Sequence, residues 1–200
     1  MKNITLIGAF LLALSSSASV FAIDGITFNI SGGYTLPSGI PTKSQQAGAT
    51  ERSVKTPRTV QALIGYHHEI NPYIDVGFLA GYALYGEVNY TIGGQNYKAT
   101  DTNLLFLGSL LLHVPSWNIS TQLLGGLARN GFVVKSNGQT QSSRVTQAYA
   151  GINLLYDFNK HFSAGVGYNH IFGSKIDDIT NINGKAPTLD NFLVTLQYIF

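Results

Sequence analysis

The chain has 200 residues, of which 11% are charged and 44% are hydrophobic, and its formal net charge is only +2. An average globular protein carries about 25% charged residues, so much of this surface is predicted to face something other than water. The small net charge argues against a nucleic-acid partner. The sequence contains no cysteine, which excludes disulfides, thiolate catalysis and lipoprotein acylation.

Residues 1–22 have the three parts of a secretory signal peptide. A lysine near the start, an apolar core and the small-x-small ending Val-Phe-Ala are all present. We expect cleavage after Ala22, with cleavage after Ala18 as the alternative, and a single mature domain of residues 23–200. The apolar stretches of that domain are shorter than the roughly 20 residues that a transmembrane helix needs. If the mature chain crosses a membrane, it therefore does so as strands.

Eight segments alternate large apolar with small or polar side chains, which is typical of β-strands. The predicted strands are 25–34, 59–69, 73–85, 102–114, 117–128, 145–158, 161–172 and 191–200. Tight turns are predicted at Asn71-Pro72, Pro115-Ser116 and Asn159-Lys160. Longer polar segments alternate with these turns, at 35–57, 87–100, 130–144 and 173–189. The second and third of these are predicted to be raised hairpins that turn at Gly93-Gly94 and Asn137-Gly138.

The direction of the alternation distinguishes a membrane barrel from a soluble one, because a soluble barrel turns its apolar face inward. Here the large apolar face has no charged residue in any predicted strand, and its clearly polar members are His68, Thr121 and His170. The opposite face is predicted to be small and polar, which suits the crowded interior of an eight-stranded barrel. In the fourth strand leucine occupies both parities. We assign its odd-numbered residues to the interior because Asn103 and Ser109 are among them.

Aromatic residues cluster beside the predicted tight turns, as a girdle at a membrane interface would. This first girdle consists of Tyr73, Trp117, Tyr156, Phe158, Phe162 and Tyr198, together with Phe200. A second girdle is predicted at the other end, from Tyr34, Tyr82, Tyr85 and Phe172. Two girdles at the two ends of the strands favour a barrel that spans a bilayer.

The mature chain resembles the eight-stranded outer-membrane proteins of the OmpA-type transmembrane domain and opacity-protein family. The matching features are the signal peptide, the Asn-Pro turn leading into Tyr73-Ile-Asp-Val-Gly-Phe, the four hairpins and the terminal Phe200. The resemblance implies an all-β fold: an eight-stranded antiparallel transmembrane β-barrel in a Gram-negative outer membrane, with short periplasmic turns and four longer extracellular loops. It also implies that the outer-membrane assembly machinery recognises the closing strand through Phe192, Val194, Leu196, Tyr198 and Phe200.

Titratable side chains of the inward-facing parity gather near the short turns. They are His67, Glu69, Asp75, His113, Asp157 and His161. We hypothesise that they form a hydrogen-bonded network that plugs the lumen, with structural filling as its simplest role. No lysine or arginine faces them, so protonated histidine or shared protons must relieve the nearby carboxylates. A metal site is a weaker alternative, since the residues come from strand ends without a close motif. Neither a metal nor another cofactor is predicted.

The catalytic residue patterns of two outer-membrane enzyme families do not fit this sequence. His161-Phe162-Ser163 resembles the His-x-Ser of outer-membrane lipid A deacylases, but it is predicted to point inward on the periplasmic side. His68 and His170 face outward, and each is expected to lack a neighbouring serine and carboxylate. The outward face also lacks the close carboxylate pair of an omptin-type protease. We therefore predict no catalytic residues.

Basic residues in and beside the first and third loops are candidates for binding an anionic ligand, such as lipopolysaccharide phosphates or an acidic host surface. They are Lys43, Arg52, Lys55, Arg58, Arg129, Lys135 and Arg144. A merely solvated set of loops is the alternative. The sequence predicts a monomeric, non-enzymatic surface protein for membrane integrity, adhesion or host interaction. Its expected partners are outer-membrane lipids, lipopolysaccharide, the assembly machinery and a host surface ligand. A narrow pore for small solutes is the alternative, and a lipid-modifying enzyme is less favoured.

Overall fold

Eight antiparallel strands follow one another in chain order around a closed barrel, in which β8 also pairs with β1. A computed structural model describes residues 24–38, 58–92, 95–136, 139–174 and 188–200, with side chains over 24–36, 58–86, 102–131, 144–174 and 188–200. The strands are β1 (Gly25–Ser38), β2 (Arg58–Asn71), β3 (Ile74–Ile92), β4 (Gln95–Val114), β5 (Ile119–Ser136), β6 (Gln139–Asp157), β7 (Phe162–Ile171) and β8 (Thr188–Ile199). The predicted eight-stranded antiparallel barrel is confirmed. Within the described ranges, no helix is long and apolar enough to cross a bilayer.

Asparagine side chains shape two of the three short turns. After β2, the Asn71 carboxamide oxygen accepts the backbone N–H of Tyr73 at 2.9 Å. After β6, Asn159 accepts the backbone N–H groups of His161 and Phe162 at 2.8 and 2.9 Å. Such a bond lets one side chain replace a backbone partner in a tight reversal of the chain, which is why Asn favours turns.

The turn between β4 and β5 is a single 3₁₀ turn, Pro115–Trp117, followed by Asn118 in the left-handed conformation with φ 52°. Asparagine tolerates this conformation better than most residues because its short polar side chain bonds locally. Trp117 therefore lies in the turn, and β5 begins at Ile119 rather than at the predicted residue 117. Tyr73 likewise precedes β3, which begins at Ile74.

The stagger of the strands is ten residues around the barrel. The register runs from Thr27 through Gly65, Leu79, Leu107, Gly126, Tyr149, Ile171 and Leu189 back to Pro37. The path thus returns to β1 ten residues further along (37 − 27). A stagger of this kind requires the strands to tilt by roughly 35–45° from the barrel axis.

The two faces of the wall alternate as predicted. Phe78 and Val194 point outward and are 63% and 61% exposed, whereas Asn103 and Leu105 are completely buried. Phe106, between the two inward residues Leu105 and Leu107, is 54% exposed. The assignment of the odd-numbered residues of β4 to the interior is confirmed.

The interior is less polar than predicted. An apolar cluster fills a large part of it, made of Leu63, Leu79, Ala83, Tyr85, Leu105, Leu107, Leu124, Ala128, Tyr149, Ile171 and Leu189. Inward leucines stand opposite inward glycines on neighbouring strands, as in the pairs Gly65–Leu79 and Gly126–Leu107. At Gly65 an added Cβ would lie 1.8 Å from the carbonyl oxygen of Phe78. The prediction of a small and polar interior was wrong, because inward leucines occupy the space beside glycines such as Gly65 and Gly126.

Four strands extend past the rest of the barrel at the loop end. β3 and β4 pair as far as Ile92 with Gln95, and β5 and β6 as far as Ser136 with Gln139. These pairs confirm both raised hairpins. By contrast, β2 pairs with β3 only to Tyr85, and the β6–β7 register stops at Tyr149. We call the four-stranded part formed by residues 86–92, 95–100, 133–136 and 139–142 the projecting sheet.

Several strands are longer than predicted, so charged residues that were expected in or beside loops belong to the barrel wall. Arg58, Arg129, Arg144 and Asp190 were predicted in loops or at their borders, but all four lie on strands of the barrel. They share the outward parity, near the loop end. The predicted strand segments have no charged residue on their outward face. The full strands are longer, and their added residues place these four charged side chains on that face.

Candidate functional site

A buried hydrogen-bonded cluster lies at the turn end of the barrel interior, which we call the turn-end network. It joins one side chain from each of five consecutive strands, β3 to β7, namely Asp75, His113, Ser120, Asp157 and Ser163. The register produces this convergence, because His113 lies directly opposite Ser120 and Asp157 directly opposite Ser163. Each residue has the inward parity and stands close to a short turn.

Hydrogen bonds run through the turn-end network without interruption. His113 Nε2 lies 2.9 Å from Asp75 Oδ2, and His113 Nδ1 lies 2.8 Å from Ser120 Oγ. The Ser120 hydroxyl donates to one oxygen of Asp157. The Ser163 hydroxyl donates to the other oxygen of Asp157 at 2.5 Å.

Ser120 connects the two halves of the network. It has one hydroxyl proton and donates it to Asp157, so it accepts the Nδ1–H of His113. No lysine or arginine is among the buried residues of the described chain. The Asp75 Oδ1 atom is buried without a hydrogen-bond partner.

His67, another predicted member of the network, forms a second polar layer. Its Nδ1 lies 2.6 Å from Thr27 Oγ1, and its Nε2 lies 2.8 Å from Ser109 Oγ. Gln122 donates to Ser109 at 3.1 Å and accepts from Asn153 at 2.8 Å. The described residues include no group of three or more His, Cys, Asp or Glu that could hold a metal ion.

Glu69 and His161 lie outside the network, contrary to the prediction. The register of β2 and β3 is irregular between Glu69 and Asn71, and the Glu69 carboxylate is only half-buried there. Glu69 instead donates its backbone N–H to Asp24. His161 belongs to the Asn159 turn, and its Nδ1 donates to the carbonyl of Ile199 at 2.7 Å. Glu69 still stands directly opposite Asp75, but the register of β2 breaks immediately after it, and His161 precedes β7, which begins at Phe162.

Both outward-facing histidines have a carboxylate partner, which the sequence-based prediction had excluded. His170 Nδ1 lies 2.7 Å from Asp190 Oδ1, and the Tyr168 hydroxyl donates to the same oxygen at 2.6 Å. The prediction failed because the closing strand was predicted to begin at residue 191, whereas β8 begins at Thr188 and includes Asp190. Among the described residues, no serine hydroxyl bonds to His170, so this is a pair of a histidine and a carboxylate and not a catalytic triad.

His68 pairs with Asp24 at the opposite end, where Nδ1 lies 3.0 Å from Oδ2. The Glu69 backbone N–H, and then His68, hold the pKa of the exposed Asp24 carboxyl below its ordinary value near 3.8. These contacts attach the residue before β1 to the end of β2. They help to close the barrel at its turn end.

The predicted anion-binding residues fall into three groups. Arg58, Arg129 and Arg144 are exposed on the outward face. Lys135 lies in β5, where the structure describes the backbone alone. Lys43, Arg52 and Lys55, like the signal peptide, lie outside the described residues.

Aromatic residues at the turn end are exposed or half-buried, and several of their rings contact one another. Trp117 and Phe200 are 71% and 68% exposed. Ring centroids are 5.2 Å apart for Tyr156–Phe158, 5.5 Å for Phe158–Phe162 and 4.8 Å for Tyr198–Phe200. At the loop end Tyr34, Tyr82 and Phe172 are exposed, but Tyr85 is buried in the interior, because residue 85 has the inward parity of β3.

Residues of the predicted assembly signal all lie on the outward side of β8 and its end. Phe192, Val194, Leu196 and Phe200 are exposed, and Tyr198 is partly exposed. Their recognition by the assembly machinery stays a prediction.

Solved structures with the same fold are found among small outer-membrane proteins. Neisserial surface protein A (NspA) superposes with a TM-score of 0.58 at 14% identity, over 88% of this chain and 97% of that chain. Ail, the attachment invasion locus protein of Yersinia pestis, superposes with a TM-score of 0.53 at 15% identity in its complex with the heparin analogue sucrose octasulfate, over the same shares. At these identities the likeness concerns the fold alone. No curated protein sequence matches the chain.

A family model described as the outer membrane protein beta-barrel domain matches residues 8–200. This match, the closed barrel and its apolar outward face agree with one another. The outward face therefore lies against the lipid of a Gram-negative outer membrane, with the short turns in the periplasm and the longer connections outside. The chain belongs to the family of outer-membrane proteins with a β-barrel domain.

Proposed function

We propose that this barrel is a non-enzymatic surface protein that anchors an extracellular structure for adhesion or host interaction and contributes to membrane integrity. The projecting sheet is the observation that carries the proposal. Residues 86–92 of β3 extend past the last pair with β2, which at about 3.3 Å per residue corresponds to roughly 20 Å of strand. A hydrogen-bonded sheet of four strands presents a defined shape to the outside.

The two outer strands of the projecting sheet have backbone groups on one edge without a partner strand in the described structure. These edges are residues 86–92 of β3 and 139–142 of β6. An edge strand is a ready template for pairing with a strand of another chain. Such an edge suits a protein ligand at a cell surface.

An acidic host ligand is a second way to engage the outside of the barrel. The exposed Arg58, Arg129 and Arg144, together with the basic residues of the first loop, give this end a positive bias. Ail was solved with a heparin analogue, a polyanion. Binding of a sulfated polysaccharide to this chain is therefore part of the proposal.

A pore fits the interior less well. Leu63, Leu79 and Leu105 are at most 1% exposed, so water does not reach them. The buried side chains of the turn-end network occupy the interior at the periplasmic end, where a pore would need an opening. A lipid-modifying activity has less support still, because the outward His170–Asp190 pair lacks a bonded nucleophile among the described residues.

The test compares cells that display the full chain with cells that display a shortened variant. In this variant, residues 88–99 and 133–142 are each replaced by Asn-Gly, which removes most of the projecting sheet and keeps the barrel. We expect a loss of binding to host cells, with the heat-modifiable shift on gels retained. Equal binding by both chains, or single-channel conductance of the purified protein in planar bilayers, would overturn the proposal.

A further inference from the structure

Two arginines on the lipid-facing wall stand close together on β5 and β6. Arg129 lies directly opposite Thr146, and Gly131 lies directly opposite Arg144. These four outward-facing residues form what we call the rim square, with the arginines at diagonal corners. Diagonal neighbours on adjacent strands are about 7–8 Å apart, within reach of long side chains.

The arginines of the rim square have no anionic partner within the described part of the chain, since neither forms an ion pair with a carboxylate there. Like charges at this spacing repel one another. Between them Gly131 leaves a recess, because an added Cβ would have as its nearest neighbour the Thr102 carbonyl oxygen, at an ordinary contact distance of 3.7 Å. An anion in this recess would be reached by both guanidinium groups and by the Thr146 hydroxyl.

The height of the rim square matches the outer headgroup layer. Arg129 lies ten residues from the start of β5 at Ile119 (129 − 119). At about 3.3 Å per residue and a tilt of about 40°, ten residues rise roughly 25 Å, the height of the apolar band of such barrels. Toward the membrane centre, the outward neighbours are Leu127 and Ala148, both exposed. The wall thus offers cationic groups at headgroup level and an apolar surface below them.

We propose that the rim square binds a phosphate monoester of an outer-leaflet glycolipid, as carried by lipid A, with the acyl chains along Leu127 and Ala148. Guanidinium groups donate bidentate hydrogen bonds to phosphate oxygens. A phosphate monoester has a charge of about −1.5 to −2 at neutral pH and offsets both arginines. This site shares Arg129 and Arg144 with the basic surface proposed for a sulfated polysaccharide, but it uses no residue of the projecting sheet, so adhesion through that sheet is tested separately.

Native mass spectrometry and titration of the purified barrel with lipid A test the proposal. The Arg129→Gln/Arg144→Gln variant is compared with the wild type and with Lys160→Gln, a control that removes an exposed basic residue at the turn end of the barrel. We expect about tenfold weaker binding of diphosphorylated lipid A for each rim-square arginine removed, if each contributes about 1.5 kcal/mol. Lys160→Gln should bind as the wild type does. Gly131→Val, which retains both charges and fills the recess, should also bind more weakly.

Three further ligands distinguish a lipid-bound phosphate monoester from free phosphate and from a phosphodiester lipid. Dephosphorylated lipid A should bind the wild type and the double variant equally weakly, and inorganic phosphate should not displace lipid A. The proposal is overturned if the double variant retains lipid A as the wild type does, or if Lys160→Gln weakens binding to the same extent. It is also overturned if phosphatidylglycerol, a phosphodiester, binds as tightly as lipid A, or if inorganic phosphate displaces the lipid. Heat-modifiable mobility verifies that each variant is folded.

Discussion

His113 Nε2 lies 2.9 Å from Asp75 Oδ2, which joins β4 to β3 inside the barrel beside the periplasmic turns. The same imidazole reaches Asp157 through the Ser120 hydroxyl. A single histidine therefore connects two buried carboxylates. Removing one partner of such a buried arrangement leaves the others without compensation, which is the costly event in a low-dielectric interior.

We expect Asp157→Asn to lower the free energy of unfolding by about 1–3 kcal/mol at neutral pH, since the carboxamide cannot accept both serine hydroxyl protons as the carboxylate does. Heat-modifiability gels over a temperature series measure the effect. Glu69→Gln, which changes a carboxylate outside the network, serves as the control and should behave as the wild type. Unaltered thermal unfolding of Asp157→Asn would show that the network does not stabilise the barrel.

Asp24 provides a pH-dependent contact at the periplasmic end. Hydrogen bonds from the Glu69 backbone N–H and from His68 lower the pKa of its carboxyl. A carboxyl with a lowered folded-state pKa stabilises the fold above its unfolded-state pKa, and this contribution disappears as the pH falls through the folded value. We expect its NMR titration midpoint in micelles to lie below 3.8, and His68→Ala to move it upward. A midpoint at or above the ordinary value would contradict the contact.

Inward and outward glycines should differ sharply in their tolerance of a methyl group. A Cβ at Gly33 would lie 1.8 Å from the carbonyl oxygen of Phe192, whereas one at Gly125 has no atom within 4 Å. We expect Gly33→Ala to destabilise the barrel by about 3 kcal/mol, at the upper end of the cost of overpacking. Gly125→Ala should refold with the yield of the wild type. Refolding into detergent, followed by gel mobility, measures both variants, and equal yields would mean that the strands move apart freely.

A lysine on the outward wall should strongly destabilise the barrel in the middle of the membrane and only slightly at its edge. Val166 is 60% exposed in the middle of β7, and Ile70 is 58% exposed near the turn end of β2. We expect Val166→Lys to cost about 2–4 kcal/mol and Ile70→Lys at most about 1 kcal/mol. Urea unfolding in lipid vesicles measures the difference. Equal costs at the two positions would place the lipid boundary elsewhere.

The barrel itself could be predicted from the chain, because alternation and turn chemistry are local. The alternation along one strand predicts that Phe78 and Val194 point outward. Asn71 and Asn159 predict tight turns, because their side chains bond to the backbone that follows. The prediction failed where a residue's neighbours come from distant strands. Asp190 was expected in a loop, since nothing local shows that β1 continues to pair with β8 as far as Ser38.

The amino-acid order by itself determined the strand count, the apolar outer face, the inward parity of Asp75, His113 and Asp157, and the two raised hairpins. Only the tertiary structure decided that His113 joins both carboxylates while Glu69 and His161 do not, and that Arg129 and Arg144 stand on one square of the wall. The face to which a side chain points depends on the backbone of its own strand, so it can be predicted from consecutive residues. Contacts across the barrel depend on the ten-residue stagger and on how far each strand pairs with its neighbours, and both are properties of the closed sheet.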